Sequence, residues 1–377
     1  MHKKQILSFY YKHKTGGFTT RLYKAWTALA NDGYKLTYIS TEKLPVENKN
    51  ITAHIILCRN KPSTVLFWGE YFLRAIFAAR KIIKNEQVSC FFVFSFFYSS
   101  LSILSGFGNG VKTLVFIRAD DVYMSSLKSF AKLRTKLHIF LEKFSLNYAA
   151  IAVATNQKMM TSIRARNNAK ADIYYLPNNI VNANIKYSKE KYSRIDGVFR
   201  FITASVLNEG KNILYTLQAL QKMNSMNWEF LIVGDDIENT GYGKQIEHYI
   251  LENKLHDKVK LLGWKNDADK LISQCDLFII STIMEGSPNA LLEALGTNIS
   301  CLGSDIPEIS EILAYPDLVF DLNNPSSLSE TLDKFCRNNN YRLNIADLSL
   351  KCRERYIFNW EKRVIYFVEK VISNDKK

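Results

Sequence analysis

Residues 276–296 read DLFIISTIMEGSPNALLEALG, and this stretch decides the fold. Its apolar run predicts a buried strand from Leu277 to Ser281, and the spacing of its later apolar residues predicts a helix from Pro288 to Leu295. Gly286 marks the turn between them, and Ser287 is typical of a helix N-cap that precedes a proline at the first helical position. The amides and the dipole at the start of such a helix can bind an anion. The stretch therefore predicts one strand–turn–helix step with an anion site at its turn.

Strand-like and helix-like segments alternate along the rest of the chain, which is typical of βαβ units around a parallel sheet. The predicted strands are residues 5–11, 35–40, 89–94, 113–117 and 151–154 in the first half, and 199–203, 228–233, 259–262, 277–281 and 299–302 in the second. The predicted helices are residues 21–32, 71–84, 212–223, 244–253 and 288–295. The pattern predicts an α/β protein with two doubly wound parallel sheets.

A polar stretch from Asn182 to Gly197 separates the two series and is interpreted as a linker. It divides the chain into a first domain at residues 1–181 and a second at residues 198–356. In doubly wound folds, ligands bind beyond the carboxyl ends of the strands. We therefore expect a ligand site in a cleft between two facing sheets.

The composition narrows the class of protein. Of the 377 residues 47% are hydrophobic and 23% are charged, with 16 Gly and 7 Pro, and this excludes a disordered or low-complexity chain. The six cysteines are scattered and lack clustered histidines, which argues against a zinc site and against a disulfide scaffold. A reducing, cytoplasmic compartment is therefore expected.

The positive charge is concentrated in the first half. Residues 1–180 hold 26 Lys and Arg against 9 Asp and Glu, whereas the rest of the chain is slightly acidic. The start of the chain is apolar for too few residues to be a signal peptide, and the apolar stretch Phe91 to Leu104 is too short to cross a bilayer. We interpret Phe91 to Leu104 as a buried strand that runs into a helix.

Two segments, Tyr71 to Lys84 and Ser125 to Tyr148, combine apolar residues with several Lys and Arg. Basic amphipathic helices of this kind can lie on an anionic membrane. Ordinary helices that pack on a sheet and keep a charged face in water are the alternative. The excess charge also fits a nucleic acid or a phosphorylated substrate, and composition alone does not choose among these partners.

The spacing Glu285-x7-Glu293, in its strand–turn–helix context, resembles the Glu-x7-Glu motif of retaining GT-B glycosyltransferases, particularly the glycosyltransferase family 4 group. Neighbouring segments agree with the resemblance, which is strong from about Phe199 to Leu313. They are Phe230–Asp236 (FLIVGDD), Val259–Gly263 (VKLLG), Asp276–Ser281 (DLFIIS) and Ser304–Ile309 (SDIPEI). The resemblance implies a GT-B fold of two Rossmann-like domains that face each other across a cleft. It also implies that a last helix, at residues 357–377, crosses back to the first domain.

The resemblance assigns roles to residues of the second half. It implies that Lys211, which follows a glycine at the start of a helix, binds the donor diphosphate, and that Glu285 orients the donor sugar. Ser205 stands where the family usually has an arginine for the same diphosphate. The other residues to which the resemblance assigns donor binding are Gly234, Gly286, Ser287, Pro288, Asn289 and Glu293.

The first half supplies further candidates. Gly16 and Gly17 resemble the family's glycine loop at the donor phosphates, although a plain strand-to-helix turn would also explain them. Asp120 is a candidate catalytic residue, and Arg118 and Asp121 are candidate sugar or acceptor contacts, but the family's histidine is absent here. The segment from Leu176 to Ile180 resembles the family's passage into the second domain.

The resemblance implies retaining transfer of a sugar from a nucleotide-diphospho-sugar to an acceptor hydroxyl. The positive first half and the two basic amphipathic segments predict that the acceptor is a lipid-linked saccharide in the biosynthesis of a surface polysaccharide. No cofactor and no metal are expected, because Lys211, the amides after Gly286 and the Gly16–Gly17 loop can stabilise the leaving diphosphate. The expected location is the cytoplasmic face of an anionic membrane, and nucleic acid is not expected as a partner. The alternatives are an enzyme like the sugar-nucleotide 2-epimerases and an inactive transferase-like partner subunit.

Overall fold

The structure is a computed structural model that describes residues 4–14, 16–118, 131–181, 197–224, 227–237 and 239–373. The chain forms two compact units. Unit 1 comprises Met1–Pro177 together with Asn359–Lys377, and unit 2 comprises Asn178–Phe358. The predicted linker lies outside the described residues except for Gly197.

Unit 1 is built on a parallel sheet of seven strands in the order β3-β2-β1-β4-β5-β6-β7. The strands are β1 (Gln5–Phe9), β2 (Lys35–Ser40), β3 (Ile51–Ile55), β4 (Val88–Phe94), β5 (Lys112–Ile117), β6 (Ile151–Ala154) and β7 (Asp172–Tyr175). Its helices include α1 (Gly17–Asn31), α2 (Val65–Asn85), α3 (Phe96–Gly106), α4 (Ala131–Tyr148) and α5 (Gln157–Arg166). The strand order starts in the middle and winds outward in both directions, as predicted for a doubly wound sheet.

The apolar stretch from residue 91 to residue 104 forms most of β4 and α3, so its interpretation as a buried strand and helix is confirmed. Four serines make α3 unusually polar for a buried helix. Three of their hydroxyls donate to the carbonyl four residues earlier, as Ser102 does to Tyr98 at 2.7 Å. These bonds satisfy three of the four hydroxyls inside the core, and the small side chains allow α2 and α4 to pack closely against α3.

Unit 2 contains a second parallel sheet, with six strands in the order β10-β9-β8-β11-β12-β13. The strands are β8 (Phe199–Ala204), β9 (Trp228–Val233), β10 (Val259–Leu261), β11 (Leu277–Ile280), β12 (Ser300–Ser304) and β13 (Val319–Phe320). The described helices are α6 (Ile213–Gln221), α7 (Tyr242–Glu252), α8 (Ala268–Ile272), α9 (Asn289–Gly296), α10 (Pro307–Ser310), α11 (Pro325–Arg337) and α12 (Asn339–Glu354). The predicted fold class of two doubly wound parallel sheets is confirmed.

The last helix, α13 (Trp360–Ser373), packs against α1, β4 and β5 of unit 1. It begins three residues later than predicted, because the side chain of Asn359 accepts a hydrogen bond from the Lys362 amide at 2.8 Å and so caps the helix. Trp360 is 1% exposed and lies edge-on to Phe116, with 6.3 Å between the ring centroids. The helix is therefore part of the core of unit 1.

Candidate active site

The carboxyl end of β11 is held against the loop that precedes α6. The Thr282 hydroxyl and the Ile283 amide both donate to the Gly210 carbonyl, at 2.8 and 3.0 Å. The Ser281 hydroxyl lies 3.1 Å from the Lys211 carbonyl oxygen. Ser281 and Thr282 are buried, so water does not compete for these bonds. Two segments that are about 70 residues apart in sequence are thereby fixed together at the edge of the sheet.

Lys211 and Glu285, which the sequence assigned to one site, form an ion pair. Lys211 Nζ donates to Glu285 Oε1, and the two side chains are 24% and 11% exposed. Lys211 ends a short 3-10 turn, and Asn212 turns the chain into α6 with left-handed φ and ψ of 51° and 40°. Partial burial weakens screening by solvent, so each side chain fixes the position of the other. The sequence predicted that both residues face a ligand but did not predict that they contact each other.

The start of α9 differs from the prediction. The helix begins at Asn289, and Pro288 occupies the N-cap position without a side-chain capping bond. The predicted N-cap, Ser287, instead accepts a hydrogen bond from Asn178 Nδ2 at 2.7 Å. The predicted N-cap role of Ser287 and the predicted first helical position of Pro288 are therefore wrong. The cause is a buried asparagine from a segment more than 100 residues away in sequence.

Gly234, the residue that follows β9, is under a strict backbone constraint. Its φ is +135°, and a Cβ at this position would lie 1.7 Å from the Ser205 carbonyl oxygen. The two backbone segments approach closely because Ser205 N donates to Val233 O at 3.0 Å and Gly234 N donates to Gly263 O at 2.9 Å. Only glycine fits here. The carboxyl ends of β8, β9 and β10 are thus joined beside the segment that leads to Lys211.

The part of the chain that holds this arrangement is similar to a known protein family. The family model described as "Glycosyl transferases group 1" matches residues 185–349, which include the Lys211–Glu285 pair, Gly234 and α9. Residues 185–349 are therefore similar to a group 1 glycosyltransferase domain. The resemblance to glycosyltransferases is confirmed, and the family 4 assignment is consistent with the match.

Several curated glycosyltransferases are similar in sequence to this chain. The O-antigen biosynthesis glycosyltransferase WclY of Escherichia coli is 27% identical over 151 residues, which are 40% of this chain and 41% of WclY. UDP-Gal:alpha-D-GlcNAc-diphosphoundecaprenol alpha-1,3-galactosyltransferase of Escherichia coli is 29% identical over 44% of this chain and 43% of its own length. The capsular polysaccharide biosynthesis glycosyltransferase CapH of Staphylococcus aureus is 27% identical over 67% of this chain and 70% of CapH. The matched region thus spans about two fifths of the first two relatives.

Solved structures extend the likeness to nearly the whole chain. Sucrose-phosphate synthase from Thermosynechococcus elongatus superposes with a TM-score of 0.78 at 13% identity, over 97% of this chain and 98% of the other. HepE from Anabaena in complex with UDP-glucose gives a TM-score of 0.75 at 15% identity, over 97% and 99%. At this identity the likeness shows the fold, and the predicted GT-B fold is confirmed.

Within the matched region, the remaining predicted donor residues differ in accessibility. Ser205 stands where an arginine was expected, and its hydroxyl is buried without a hydrogen-bond partner in the described part of the chain. Glu293 lies on the exposed side of α9, whereas Gly286 and Asn289 are half-buried. The roles of these residues in donor binding stay predictions.

Two residues near the site received no role from sequence reasoning. Asp236, the last residue of the FLIVGDD segment, accepts hydrogen bonds at 2.8 Å from the amides of Thr240 and Gly241. These bonds lower the pKa of Asp236 and hold the loop before α7, which begins two residues earlier than predicted. Trp264 follows β10 with its side chain 45% exposed. The isolated Asp-Asp and Gly-Trp pairs gave no periodic signal that could have identified either residue.

The candidates of unit 1 are described only in part. Gly16 is the N-cap of α1 with φ +141° and ψ 169°, and Gly17 is the first residue of the helix. Arg118 is 8% exposed, and burial together with repulsion from Arg21 lowers its pKa to about 9. Asp120 and Asp121 lie outside the described residues. All five assignments to substrate or catalysis stay predictions.

In the part of the chain that the structure describes, no group of three or more His, Cys, Asp and Glu side chains is arranged to hold a metal ion. Nor is any described helix both long enough and apolar enough to span a bilayer.

Proposed function

We propose that this protein is a retaining, metal-independent glycosyltransferase that uses a nucleotide-diphospho-sugar as donor. Its acceptor is a hydroxyl of a lipid-linked saccharide, in the biosynthesis of a surface polysaccharide. The observation that carries the proposal is the Lys211–Glu285 ion pair, which lies four residues before α9 within a group 1 domain. A cation and a helix N-terminus can bind a diphosphate, and a carboxylate can accept hydrogen bonds from the hydroxyls of a sugar.

The donor diphosphate is bound by Lys211 and the start of α9. The lysine supplies a full positive charge, and the first-turn amides and the helix dipole supply further positive potential. The half-buried position of Lys211 strengthens its attraction for a phosphate oxygen. A structural neighbour, HepE, was solved in complex with UDP-glucose, which supports a nucleotide sugar as donor.

The same groups lower the barrier to transfer. Breaking the bond between the sugar and the diphosphate leaves negative charge on the phosphate oxygen, and preorganised positive groups stabilise that charge in the transition state. In the proposed front-face route, the acceptor oxygen attacks from the side that the diphosphate leaves, and the leaving phosphate takes the acceptor proton. Glu285 holds the donor sugar during this exchange. Metal independence is proposed because Lys211 and the helix dipole take the place of a cation.

The acceptor is assigned by charge and by the names of relatives. One relative from Escherichia coli is named for a galactosyl transfer to a diphosphoundecaprenol-linked GlcNAc, and others act in O-antigen and capsular polysaccharide biosynthesis. The excess of 17 positive charges in residues 1–180 fits a substrate that carries a diphosphate on a lipid. We therefore place the acceptor on unit 1.

The location proposed for the protein is the inner face of the cell membrane. Two helices of unit 1 expose apolar side chains next to cations. On α2 these are Leu66, Leu73 and Phe77, which are 72%, 59% and 70% exposed, with Arg74, Lys81 and Lys84 on the exposed side. On α4 they are Leu133, Leu137 and Phe140, which are 78%, 55% and 62% exposed, with Lys132, Arg134, Lys136 and Lys143. Both helices pack on α3, so these basic apolar faces belong to the same layer of unit 1.

A screen of nucleotide-sugars for hydrolysis and for a rise in melting temperature tests the donor, because a ligand that binds the folded state stabilises it. NMR of the product then reports whether the anomeric configuration is retained, and a chelator should leave the rate unchanged. If no nucleotide-sugar or nucleoside diphosphate binds, the proposed function is wrong.

The ion pair allows a sharper test with two variants. Lys211→Ala should weaken binding of the nucleoside diphosphate by about tenfold to a hundredfold, because it removes a charged hydrogen bond and leaves Glu285 near the anion. Glu285→Gln should bind the nucleoside diphosphate at least as tightly as the wild type, because Lys211 loses its competing partner, while kcat falls. An equal loss of affinity in both variants would contradict the assigned roles.

A further inference from the structure

Asn178 is buried beneath the start of α9. It is the first residue of unit 2 and only 1% exposed. Its Nδ2 group donates to Ser287 Oγ at 2.7 Å and to Asn289 Oδ1 at 2.6 Å. An amide NH₂ group has two protons, and both are used here. Asn178 therefore contacts the two polar side chains that flank Pro288 at the candidate donor site.

These two bonds fix the polarity of the side chains that receive them. Because Ser287 Oγ accepts from Asn178, the hydroxyl proton of Ser287 points elsewhere. Because Asn289 Oδ1 also accepts, the NH₂ group of Asn289 is turned away from Asn178. Ser287 and Asn289 are half-buried at the helix start, so each can present a donor to a ligand. An anion needs donors, and an exposed amide oxygen at the same place would repel it.

We propose that Asn178 is a positioning residue that orients Ser287 and Asn289 as hydrogen-bond donors to the donor diphosphate. The inference rests on the proposed function, since it concerns the same site. Asn178 does not itself touch the diphosphate and acts through its two partners. It thereby adds two side-chain donors to the charge of Lys211 and the dipole of α9.

The neighbouring asparagine is a matched control. Asn179 is 5% exposed, and its Nδ2 donates to the Phe358 carbonyl at 2.9 Å. It has the same chemistry and similar burial, but its bond fixes the end of unit 2 and not the start of α9. Asn179→Ala should lower the melting temperature and leave affinity for nucleoside diphosphate within about twofold of the wild type.

The experiment compares Asn178→Ala and Asn178→Asp by titration calorimetry, with UDP, GDP, ADP and CDP as probes. The Ala variant removes both donors, and we expect the tightest probe to bind about tenfold more weakly. The carboxylate of the Asp variant has the shape of the asparagine amide but only accepts hydrogen bonds. Ser287 and the Asn289 NH₂ group therefore donate to this carboxylate. The Asn289 amide then turns its oxygen towards the ligand. We expect a loss of about fiftyfold or more, with kcat less affected than the KM for the donor. The matching free nucleoside should bind both variants as it binds the wild type, because it lacks the diphosphate.

A mutant cycle separates orientation from general damage. In a Ser287→Ala, Asn289→Ala background, adding Asn178→Ala should weaken binding by less than about twofold, because its partners are gone. A full additional loss in that background would overturn the inference, and so would an Asn178→Asp variant that binds as tightly as the wild type. If the wild type binds none of the four nucleotides, the proposed function itself fails. If the wild type binds a nucleoside diphosphate tightly and the Asn178 variants bind it weakly, the result supports both the proposed function and the role of Asn178.

Discussion

At the scale of single residues, Gly234 shows how strictly the site is built. A methyl group there would lie 1.7 Å from the Ser205 carbonyl oxygen, in a backbone conformation with φ +135°. We expect Gly234→Ala to reduce the free energy of unfolding by about 2–4 kcal/mol, since both the clash and the backbone strain add to the cost. Chemical denaturation with a fluorescence readout measures this change.

Gly241 provides the matched control for that substitution. Its φ is +83°, yet no atom lies within 4 Å of the position that a Cβ would occupy. Gly241→Ala should therefore cost only the conformational penalty of about 1 kcal/mol. Equal losses at the two positions would mean that the contact with Ser205 has no energetic weight.

At the scale of elements, the loop between β3 and α2 depends on one carboxylate. Glu70 accepts hydrogen bonds from the amides of Arg59 and Asn60 and from Arg74 Nε. These bonds lower the pKa of Glu70 from 4.5 to about 2, and the bond from the Arg59 amide has the largest effect. A carboxylate with a lowered pKa in the folded state stabilises the fold above pH 4.5, and this contribution is lost as the pH falls from 4.5 towards 2.

Glu70→Gln tests this assignment. The variant should be less stable than the wild type at pH 7, and the difference in free energy of unfolding should shrink below pH 4.5. Urea denaturation at a series of pH values measures it. A difference that stays constant down to pH 2.5 would show that the charge of Glu70 does not contribute.

The exposed face of α4 makes a second prediction at this scale. Leu137→Glu with Phe140→Glu should reduce binding to anionic vesicles by about tenfold or more, because it removes buried apolar area and adds like charge to the lipid. Co-sedimentation at low salt measures binding, and wild-type binding should fade as salt rises. Leu343→Glu, at a position 61% exposed on α12, is the control and should bind as the wild type does. Unchanged binding by the α4 double variant would count against this face.

At the scale of the whole molecule, the sequence predicted those strands that are buried along their whole length and have clear boundaries. β9 and β11 are buried at every position and were found within one residue of their ends. β3 was missed because its residues are only half-buried or exposed, so it carries neither an apolar run nor a clean alternation. β13 has two residues, which is too short for any periodic signal.

The candidate site was predicted residue by residue but not as a set of contacts. The resemblance to glycosyltransferase motifs assigned Glu285, Gly286 and Lys211 to one predicted site. Their pairing, and the bond from Asn178 to Ser287, join segments 74 and 109 residues apart in sequence. Local propensity carries no information about such contacts. It therefore predicted a helix cap at Ser287, whose hydroxyl instead accepts a hydrogen bond from the distant Asn178 amide.

The burial of Trp360 predicts how the stability of the two units responds to its removal. Its ring is buried, and the Arg21 guanidinium lies 5.5 Å from the ring centroid. Trp360→Ala should reduce the stability of unit 1 by about 3–5 kcal/mol, because it leaves a large cavity. Hydrogen exchange should become faster in β1, β4 and β5 and stay unchanged in β8, β9 and β11. Tyr366→Ala, 53% exposed on the same helix, should leave all six strands unchanged.

The position of α13 also has a consequence for the order of events during synthesis. Unit 1 is interrupted at Pro177 and resumes only at Asn359, so the ribosome must make all of unit 2 before the tryptophan that fills the first core exists. The nascent amino-terminal sheet then waits with an open apolar groove, while the later sheet has every strand it needs. Translation thus favours completion of unit 2 first, and the apolar groove of unit 1 stays exposed until α13 emerges.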